Sequence, residues 1–320
     1  MSVKTEVLTR LEEKKGESIS GETLAAGLGV SRAAVWKAIR ALQAEGYHIE
    51  AVNNKGYCLM PDNDILSEEV LKRLVDAPAL YVYKEIDSTN EELKRLSLQN
   101  APSGTLVVAN SQTQGKGRRG RVFYSPADTG IYMSILLRPQ LDFATSVYIT
   151  TAASVAVCRA IETVCKIKTQ IKWVNDIYYN GHKVCGILTE ATTDFESGGI
   201  DSIIVGIGIN VKTEDFPEEL TSVASSLYEE GAGASVRNEL TAEVYRELMK
   251  VSEDLEAHTF LEEYRRRSMV IGKPIRYSTA DGWENATARA IDDAGGLVIE
   301  TAAGECITLN SGEISIRMEE

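Results

Sequence analysis

Between a strand-like run, Thr105-Leu-Val-Val-Ala-Asn110, and a second apolar run over 131–137, the chain carries Gly115-Lys116-Gly117-Arg118-Arg119-Gly120-Arg121. Three glycines interleaved with four cations in seven residues predict a tight, nest-like loop rather than a regular element. Glycine lets backbone N–H groups turn toward an anion and takes the positive φ angles such a loop requires. Lysine and arginine add charge that can neutralise a phosphate or a developing oxyanion. No Gly-Lys-Ser/Thr closes the stretch, so it is not a Walker A loop. On these residues alone two readings stay open: an anion site, and a solvated basic loop or nucleic-acid arm.

The neighbouring pattern places this loop in an α+β chain. At 320 residues there is room for two or three domains. Pro61-Asp-Asn-Asp-Ile-Leu-Ser67 is polar and proline-led, and marks the first boundary, after residue 61. Beyond it the periodicity predicts helix 68–75, strand 80–84, helix 89–98, strand 105–110, strand 131–137 and a long helix 145–165. Strands 170–173, 176–180, 183–190 and 201–211 follow, with Asn180-Gly181 a type I′ hairpin signal. Hairpins with helices to one side predict a mixed or antiparallel sheet over 62–268, ending in a helical 238–268. Short glycine-punctuated strands over 269–320 predict a small all-β, SH3-like domain.

The head, residues 1–61, reads differently. Val3, Val7, Leu8 and Leu11 fall at helical spacing. Ser20 caps a short helix with Leu24, Ala25 and Leu28 inward, and Ser31 caps a helix 32–45 that turns Val35, Trp36, Ile39 and Leu42 toward a core. Two helices joined across Gly27-Leu28-Gly29-Val30 form a helix-turn-helix pattern. Strands at 47–52 and 56–59 around Asn53-Asn54-Lys55 add a wing. Ser31, Arg32, Lys37 and Arg40 on the outer face suit phosphates and guanine edges, which favours DNA binding over a protein-contact module.

Charge supports separate jobs for the parts. The net of −13 argues against an undifferentiated nucleic-acid binder, yet residues 1–61 hold 8 Lys+Arg against 7 Asp+Glu, and the remainder 26 against 40. Apolar runs such as Val147–Val157 fall short of a membrane span and no charged-then-apolar leader opens the chain, which predicts a cytoplasmic protein with no membrane partner. Five cysteines, at 58, 158, 165, 185 and 306, make no CxxC pair and read as reduced core thiols.

A second polar constellation surrounds the loop in sequence. Ser88-Thr89-Asn90 opens a helix, with Thr89 and Glu92 at capping-box spacing. Gln112 precedes the basic loop. Lys172-Trp173-Val174-Asn175-Asp176 sets a polar cluster between two strands. Lys183 stands in an otherwise apolar strand, either snorkelling at a rim or held for chemistry. Gly206-Ile-Gly-Ile-Asn210 ends a buried strand with glycines where something approaches the backbone closely.

Taken in order, Asp87-Ser-Thr-Asn90, Gly115–Arg121, Lys172-Trp-Val-Asn-Asp176, Lys183-Val-Cys-Gly-Ile187 and Gly206–Asn210 resemble the signature of biotin–protein ligases. The winged helix-turn-helix head resembles that of the bifunctional form, which also represses biotin genes. Ala288-Arg-Ala-Ile-Asp292 with Gly296, and Ser311-Gly-Glu-Ile-Ser-Ile-Arg317, resemble the family's C-terminal β domain. The likeness runs over essentially the whole chain. Lys116 stands where the family often has Arg, and Val174 where it often has Pro; lysine keeps the charge but loses the planar fork.

The resemblance implies formation of biotinoyl-5′-AMP from biotin and ATP with Mg²⁺, then transfer to a lysine of a carboxylase's biotin carboxyl carrier domain. It implies that Ser88, Thr89, Asn90, Gln112, Lys116, Gly117, Arg118, Lys183 and Gly186 bind biotin or the adenylate, with Arg118 and Lys183 catalytic. Arg119, Arg121, Lys172, Asn175, Asp176, Asn210 and Arg317 are implied for the nucleotide, Asp176 also for the metal. Operator DNA is the implied partner of Ser31, Arg32, Lys37 and Arg40, and a homodimer the implied adenylate-bound state. Two alternatives are a ligand-sensing repressor without transfer activity and a lipoate- or octanoate-type ligase. Of the three histidines, 48, 182 and 258, only His182 lies near the cluster, and it reads as a surface turn residue.

Overall fold

The structure, a computed structural model, describes residues 2–53, 55–138, 143–193, 200–228, 235–253, 255, 257–280, 282–310 and 314–316. They fall into two compact units, residues 1–76 with 231–242, and residues 77–230 with 243–320.

The first unit opens with α1 (Val3–Glu13), β1 (Ser18–Ile19), α2 (Gly21–Leu28) and α3 (Arg32–Ala44), then β2 (Ile49–Val52), β3 (Gly56–Leu59) and α4 (Glu68–Leu74). Ser2, Ser20, Ser31 and Ser67 each accept from a backbone N–H three residues on, which satisfies one orphan donor per helix. Val7, Leu8 and Leu11 meet Leu24, Val35, Ile39 and Leu42 in one core closed by Leu59. The two-residue β1 completes a sheet of order β1-β3-β2. Its pairing needs Gly56, whose φ is +109° and whose Cβ position would lie 2.1 Å from the Ile19 carbonyl oxygen. Behind it, Arg237 is buried against Asp64: its backbone N–H and Nε donate to the two carboxylate oxygens at 2.9 and 3.2 Å.

The second unit contains β4 (Leu80–Tyr83), α5 (Thr89–Ser97), β5 (Leu106–Ala109), β6 (Gly130–Leu137), α6 (Phe143–Cys165), β7 (Gln170–Lys172), β8 (Asp176–Tyr179), β9 (His182–Thr193) and β10 (Ile200–Asn210). These strands form a sheet of order β4-β5-β6-β10-β9-β8-β7, with β4 parallel to β5 and the other pairs antiparallel. The mixed sheet expected from the hairpin signals is present. Every residue of β5 and β6 is buried, because α5 and α6 cover the sheet.

By length and composition alone, Tyr148–Cys165 of α6 is apolar enough to cross a membrane, contrary to the shorter run read from the sequence. In the fold its Ala152, Ala153, Ala156, Val157 and Ile161 are buried in the unit's core. The helix expected over 238–268 is two, α7 (Arg237–Ser252) and α8 (Thr259–Arg267), with His258 at φ +53° starting the second. The strands β11 (Pro274–Thr279), β12 (Gly282–Ile291), β13 (Leu297–Thr301), β14 (Cys306–Leu309) and β15 (Ile314–Ile316) make an antiparallel sheet of order β14-β13-β12-β11-β15, the expected small all-β part. The five cysteines are free; Cys58, Cys158 and Cys185 are buried, whereas Cys306 is exposed on β14 and is not the core thiol anticipated.

Candidate active site and nucleic-acid interface

The basic segment is stapled at its neck. Gly117 N–H donates to Arg121 O at 2.8 Å, Phe123 N–H to Gly115 O at 2.9 Å, and Lys116 bridges to Val122. Of its three glycines only Gly120 takes a positive φ, +74°, and Arg119 itself sits at +56°. Gly115 serves a close approach instead: a Cβ there would lie 2.4 Å from Phe123 O. The expected glycine nest is thus a short 3₁₀ turn, Arg118–Gly120, at the tip of a hairpin-like loop.

That loop borders a cavity at one end of the sheet. Among the described residues lining it are five cations, Lys116, Arg118, Arg121, Lys172 and Lys183, and a single carboxylate, Asp176. An excess of that size in a recess favours an anionic guest. Ser88, Thr89, Asn90, Gln112, Gly117, Asn175, Gly186 and Asn210 line the same space. The sequence-predicted residues converge, with two exceptions. Arg119 is exposed outside the lining, its Nη1 donating to Ser278 Oγ at 3.5 Å. Arg317 lies outside the described residues.

The polar end is built on the start of α5. Ser88 is the N-cap, with no side-chain capping bond, and the anticipated Thr89–Glu92 capping box is absent. Gln112 Oε1 takes over from another strand's end, accepting from Thr89 N–H at 2.8 Å and Thr89 Oγ1 at 3.2 Å. Glu92 instead accepts from Tyr83 and Arg95. Asn90 is committed to the scaffold: Nδ2 donates to Glu190 at 2.8 Å, and Oδ1 accepts from Ser134 at 2.6 Å. Gly206 makes room for it, since a Cβ there would lie 2.1 Å from Asn90 Oδ1. Ser88 is 2% exposed with a hydroxyl that makes no hydrogen bond among the described residues, which leaves it for a guest.

The cations are held by partners that an anion can replace or join. Lys116 Nζ is 2.6 Å from Glu91, Lys94 is 2.7 Å from Glu91 and 2.8 Å from Glu190, and so the loop is tied through α5 to β9. Lys116 and then Lys94 hold the Glu91 carboxyl below its ordinary value. Arg118 Nη1 donates to Asn175 Oδ1 at 3.0 Å, and Asn175 Nδ2 donates to Ile187 O at 2.7 Å. Lys172 lies over the Tyr178 ring, 5.6 Å from its centre.

Lys183 Nζ is 2.7 Å from Asp176 Oδ1, off the line of a hydrogen bond, so that buried oxygen has a charge partner but no aimed donor among the described residues. Such an oxygen fits a divalent cation that brings its own waters and phosphate ligands, as Mg²⁺ does. No group of three or more His, Cys, Asp or Glu that could cage a metal occurs among the described residues.

The turn before Asp176 is fixed from behind: Trp173 Nε1 donates to Gly295 O at 3.0 Å and Tyr264 OH to Val174 O at 3.0 Å. The Trp173–Val174 peptide is cis. Burial pushes the Cys185 thiol far up, so it stays an inert core residue behind the cavity lining. His182 is exposed at the hairpin turn, and no histidine lines the cavity among the described residues.

Sequence reasoning missed the apolar flanks. Phe123 packs over Gly208, where a Cβ would meet its ring at 2.5 Å, and over Gly186. Phe216, Leu220 and Val223 also line it, Phe216 beside Tyr124 with ring centres 6.3 Å apart, in a segment held there by the β-bridge of Lys183 with Ala224. The aromatic pair Phe123-Tyr124, one residue beyond the basic loop, was the available signal.

On the first unit, Ser31, Arg32, Lys37 and Arg40 are exposed along α3 as expected, Ser31 also capping the helix through Ala34 N–H. Trp36 is a correction. It is 54% exposed, not core, because the buried face is Val35, Ala38, Ile39 and Leu42.

A mixed sheet with a cation-lined recess, joined to a helix-turn-helix head and a small β sheet, defines a protein ligase of the biotin/lipoate type with a DNA-binding module. The biotin/lipoate A/B protein ligase family profile matches residues 82–210, an HTH domain profile residues 4–58, and the biotin protein ligase C-terminal domain profile residues 270–317. The chain belongs to the family of bifunctional ligase/repressors. It is 38% identical over 315 residues to the bifunctional ligase/repressor BirA of Bacillus subtilis (strain 168), covering 95% of each, and 30% identical over 308 residues to that of Escherichia coli (strain K12), again 95% of each. Among solved structures it resembles the biotin protein ligase from Aquifex aeolicus in complex with biotin and ATP, with TM-score 0.63 and 30% identity, covering 76% of this chain and 100% of that one.

Proposed function

We propose that this chain is an ATP-dependent biotin–protein ligase and a DNA-binding repressor of biotin genes. The observation that carries the enzymatic half is the cavity whose described lining holds five cations and one carboxylate beside a polar end at Ser88 and Gln112. Biotin carboxylate and ATP repel one another, and a recess of this charge brings them together. The ureido head is placed at Ser88, Thr89 and Gln112, with Asn90 setting the frame, and the ring system rests on Gly206, Gly208 and Phe123. The nucleotide lies toward Phe216, Leu220, Val223, Asn175 and Asn210.

The carboxylate oxygen then attacks the α-phosphorus, the bond to the bridging oxygen breaks, and pyrophosphate leaves with the electron pair. Arg118 and Lys183 neutralise the charge that develops there; Lys116, Arg121 and Lys172 hold the phosphates, and Arg119 and Arg317 are assigned to the same nucleotide from the periphery. Asp176 would hold Mg²⁺, which supplies further neutralisation of the phosphates. In the second step a carrier-domain lysine amine attacks the acyl carbonyl, its proton is lost to solvent, and AMP departs. The mixed anhydride is already activated, so no Ser/His/Asp arrangement is required.

Residues 1–61 carry DNA binding, 62–268 the ligase chemistry and 269–320 the closing β domain, in a cytoplasmic protein. Ordering of the basic loop by the adenylate favours a homodimer, whose two heads match a two-fold operator. The test mixes purified protein with labelled biotin, ATP, Mg²⁺ and a carboxyl carrier domain, with lipoate as competitor. Pyrophosphate release and label on the carrier lysine are expected. Release without transfer, or preference for lipoate, overturns the reading. Equal association constants with and without biotinoyl-AMP in sedimentation would overturn the dimer step.

A further inference from the structure

The exposed face of α3 carries one residue that the repressor reading leaves without a task. Arg32, Trp36 and Arg40 lie four residues apart and therefore form one stripe along the helix. Lys37 flanks it, and no acidic residue occurs between Arg32 and Ala44. Trp36 is the large apolar member, 54% exposed, while its neighbours Val35, Ala38 and Ile39 are sealed in the core. It lines a groove bordered by Arg32 and Ala33 of α3, by Ala51, Val52 and Lys55 of the wing, and by the start of α2. There Glu22 is the one carboxylate against the two cations Arg32 and Lys55 among the described lining residues.

A single exposed apolar side chain is ordinary. An indole centred on a cationic stripe, in a groove walled by a wing, is placed to be covered by an anion that has an apolar feature of its own. Duplex DNA meets that description. Its major groove, about 12 Å wide, admits an α-helix, and there thymine alone offers a C5-methyl group. Cations along the same helix face reach phosphates and guanine edges, which fixes the helix in the groove without specifying a thymine.

We infer that Trp36 is a base-reading residue, its indole covering the methyl group of one thymine in each half-site. The inference rests on the DNA-binding reading and adds a specificity determinant to it. A tryptophan contact of this kind carries no charge, so it contributes discrimination and no salt dependence, whereas Arg32 contributes the reverse.

The experiment uses the full chain with biotin and ATP. Wild-type protein first selects a site from random duplex DNA, and each thymine of that site is then replaced by deoxyuridine, which lacks only the methyl group. One replacement per half-site is expected to weaken wild-type binding on the order of fourfold, the effect of uncovering one methyl group. Trp36→Ala should bind the thymine and deoxyuridine sites equally, with an unchanged slope of log affinity against log salt. Trp36→Phe should keep part of the discrimination, and Arg32→Ala should keep it in full while losing about two units of slope, about one for each protomer of the dimer. Circular dichroism of Trp36→Ala checks that the head remains folded; should that variant unfold, the Trp36→Phe result decides. If Trp36→Ala discriminates as wild type does, or loses affinity for every sequence alike, the base-reading role is wrong although DNA binding stands. If wild type enriches no duplex, or prefers single strands, the DNA-binding reading fails and this inference with it.

Discussion

Lys183 Nζ stands 2.7 Å from Asp176 Oδ1 across the β8–β9 hairpin, and this pair places a cation and the cavity's one described carboxylate at the same point. The cation faces the cavity only while the hairpin keeps its register, with Lys183 opposite Tyr178. Replacing Lys183 by Ala should therefore lower the rate of pyrophosphate release by about 10²–10³, the usual effect of removing one transition-state donor. Its effect on melting temperature should be small, because the side chain is part-exposed at 27%. Stopped-flow pyrophosphate detection is the measurement; a variant as fast as the parent removes Lys183 from the chemistry.

Arg118 holds Asn175, and through it the Ile187 carbonyl. Arg118→Gly should leave the pocket floor in place but release the adenylate roughly 10- to 100-fold faster, in line with one lost charged hydrogen bond. The freed anhydride would then label lysines of bystander proteins. Dissociation of pre-formed labelled adenylate, followed by rapid filtration, gives the rate; an unaltered rate would rule out Arg118 as the clasp.

The elements were legible where side-chain periodicity alone decides them. The apolar runs of β6 and β10, the Asn180-Gly181 turn and the serine caps needed no distant partner. Trp36 was misread because an apolar residue one step from Val35 is 100° away on the helix, and composition does not say which side faces water. Two-residue β1 exists only because β3 passes beside it. Gln112 as the cap of α5, and Phe216 to Val223 as a wall, depend on contacts between segments far apart in sequence. The charged lining was readable as residue types, but Arg119 and Arg118 are adjacent letters that the turn at Arg119 sends in different directions.

In the first unit, Asp64 and Arg237 are 3% and 1% exposed as side chains, and Asp64 also accepts from the Arg237 backbone N–H. Removing the Asp64 carboxylate takes the counter-charge from a buried guanidinium, and breaking a buried ion pair in this way costs about 3–5 kcal/mol. Asp64→Ala should lower the unfolding free energy of this unit, read from urea denaturation, by that amount. The double variant Asp64→Ala, Arg237→Met should recover much of the loss, since neither charge then remains to be desolvated. A single variant within about 0.5 kcal/mol of the parent contradicts the buried pairing.

Asp87 gives the pH dependence its sign. The two terminal guanidinium nitrogens of Arg95, Nη1 and Nη2, donate to its carboxylate, at 2.9 and 2.8 Å, and these bonds hold its pKa at about 2, below an ordinary 3.8; burial opposes them and the Ser88 N–H assists. A carboxyl with a depressed folded pKa adds stability that is fully present above its unfolded value and vanishes as pH falls through the folded value. The contribution should therefore be constant from pH 7 to about 5, shrink below about 4, and be gone near 2. The group is part-exposed, so the effect is modest and should weaken further in high salt. Denaturation of the parent and of Asp87→Asn, compared from pH 6 down to the acid limit of folding, measures it. The gap between the two curves must close toward low pH, because protonation gives the parent the neutral side chain that the variant already has. A gap that widens as the solution is acidified would mean that the Asp87–Arg95 pair does not hold the start of α5.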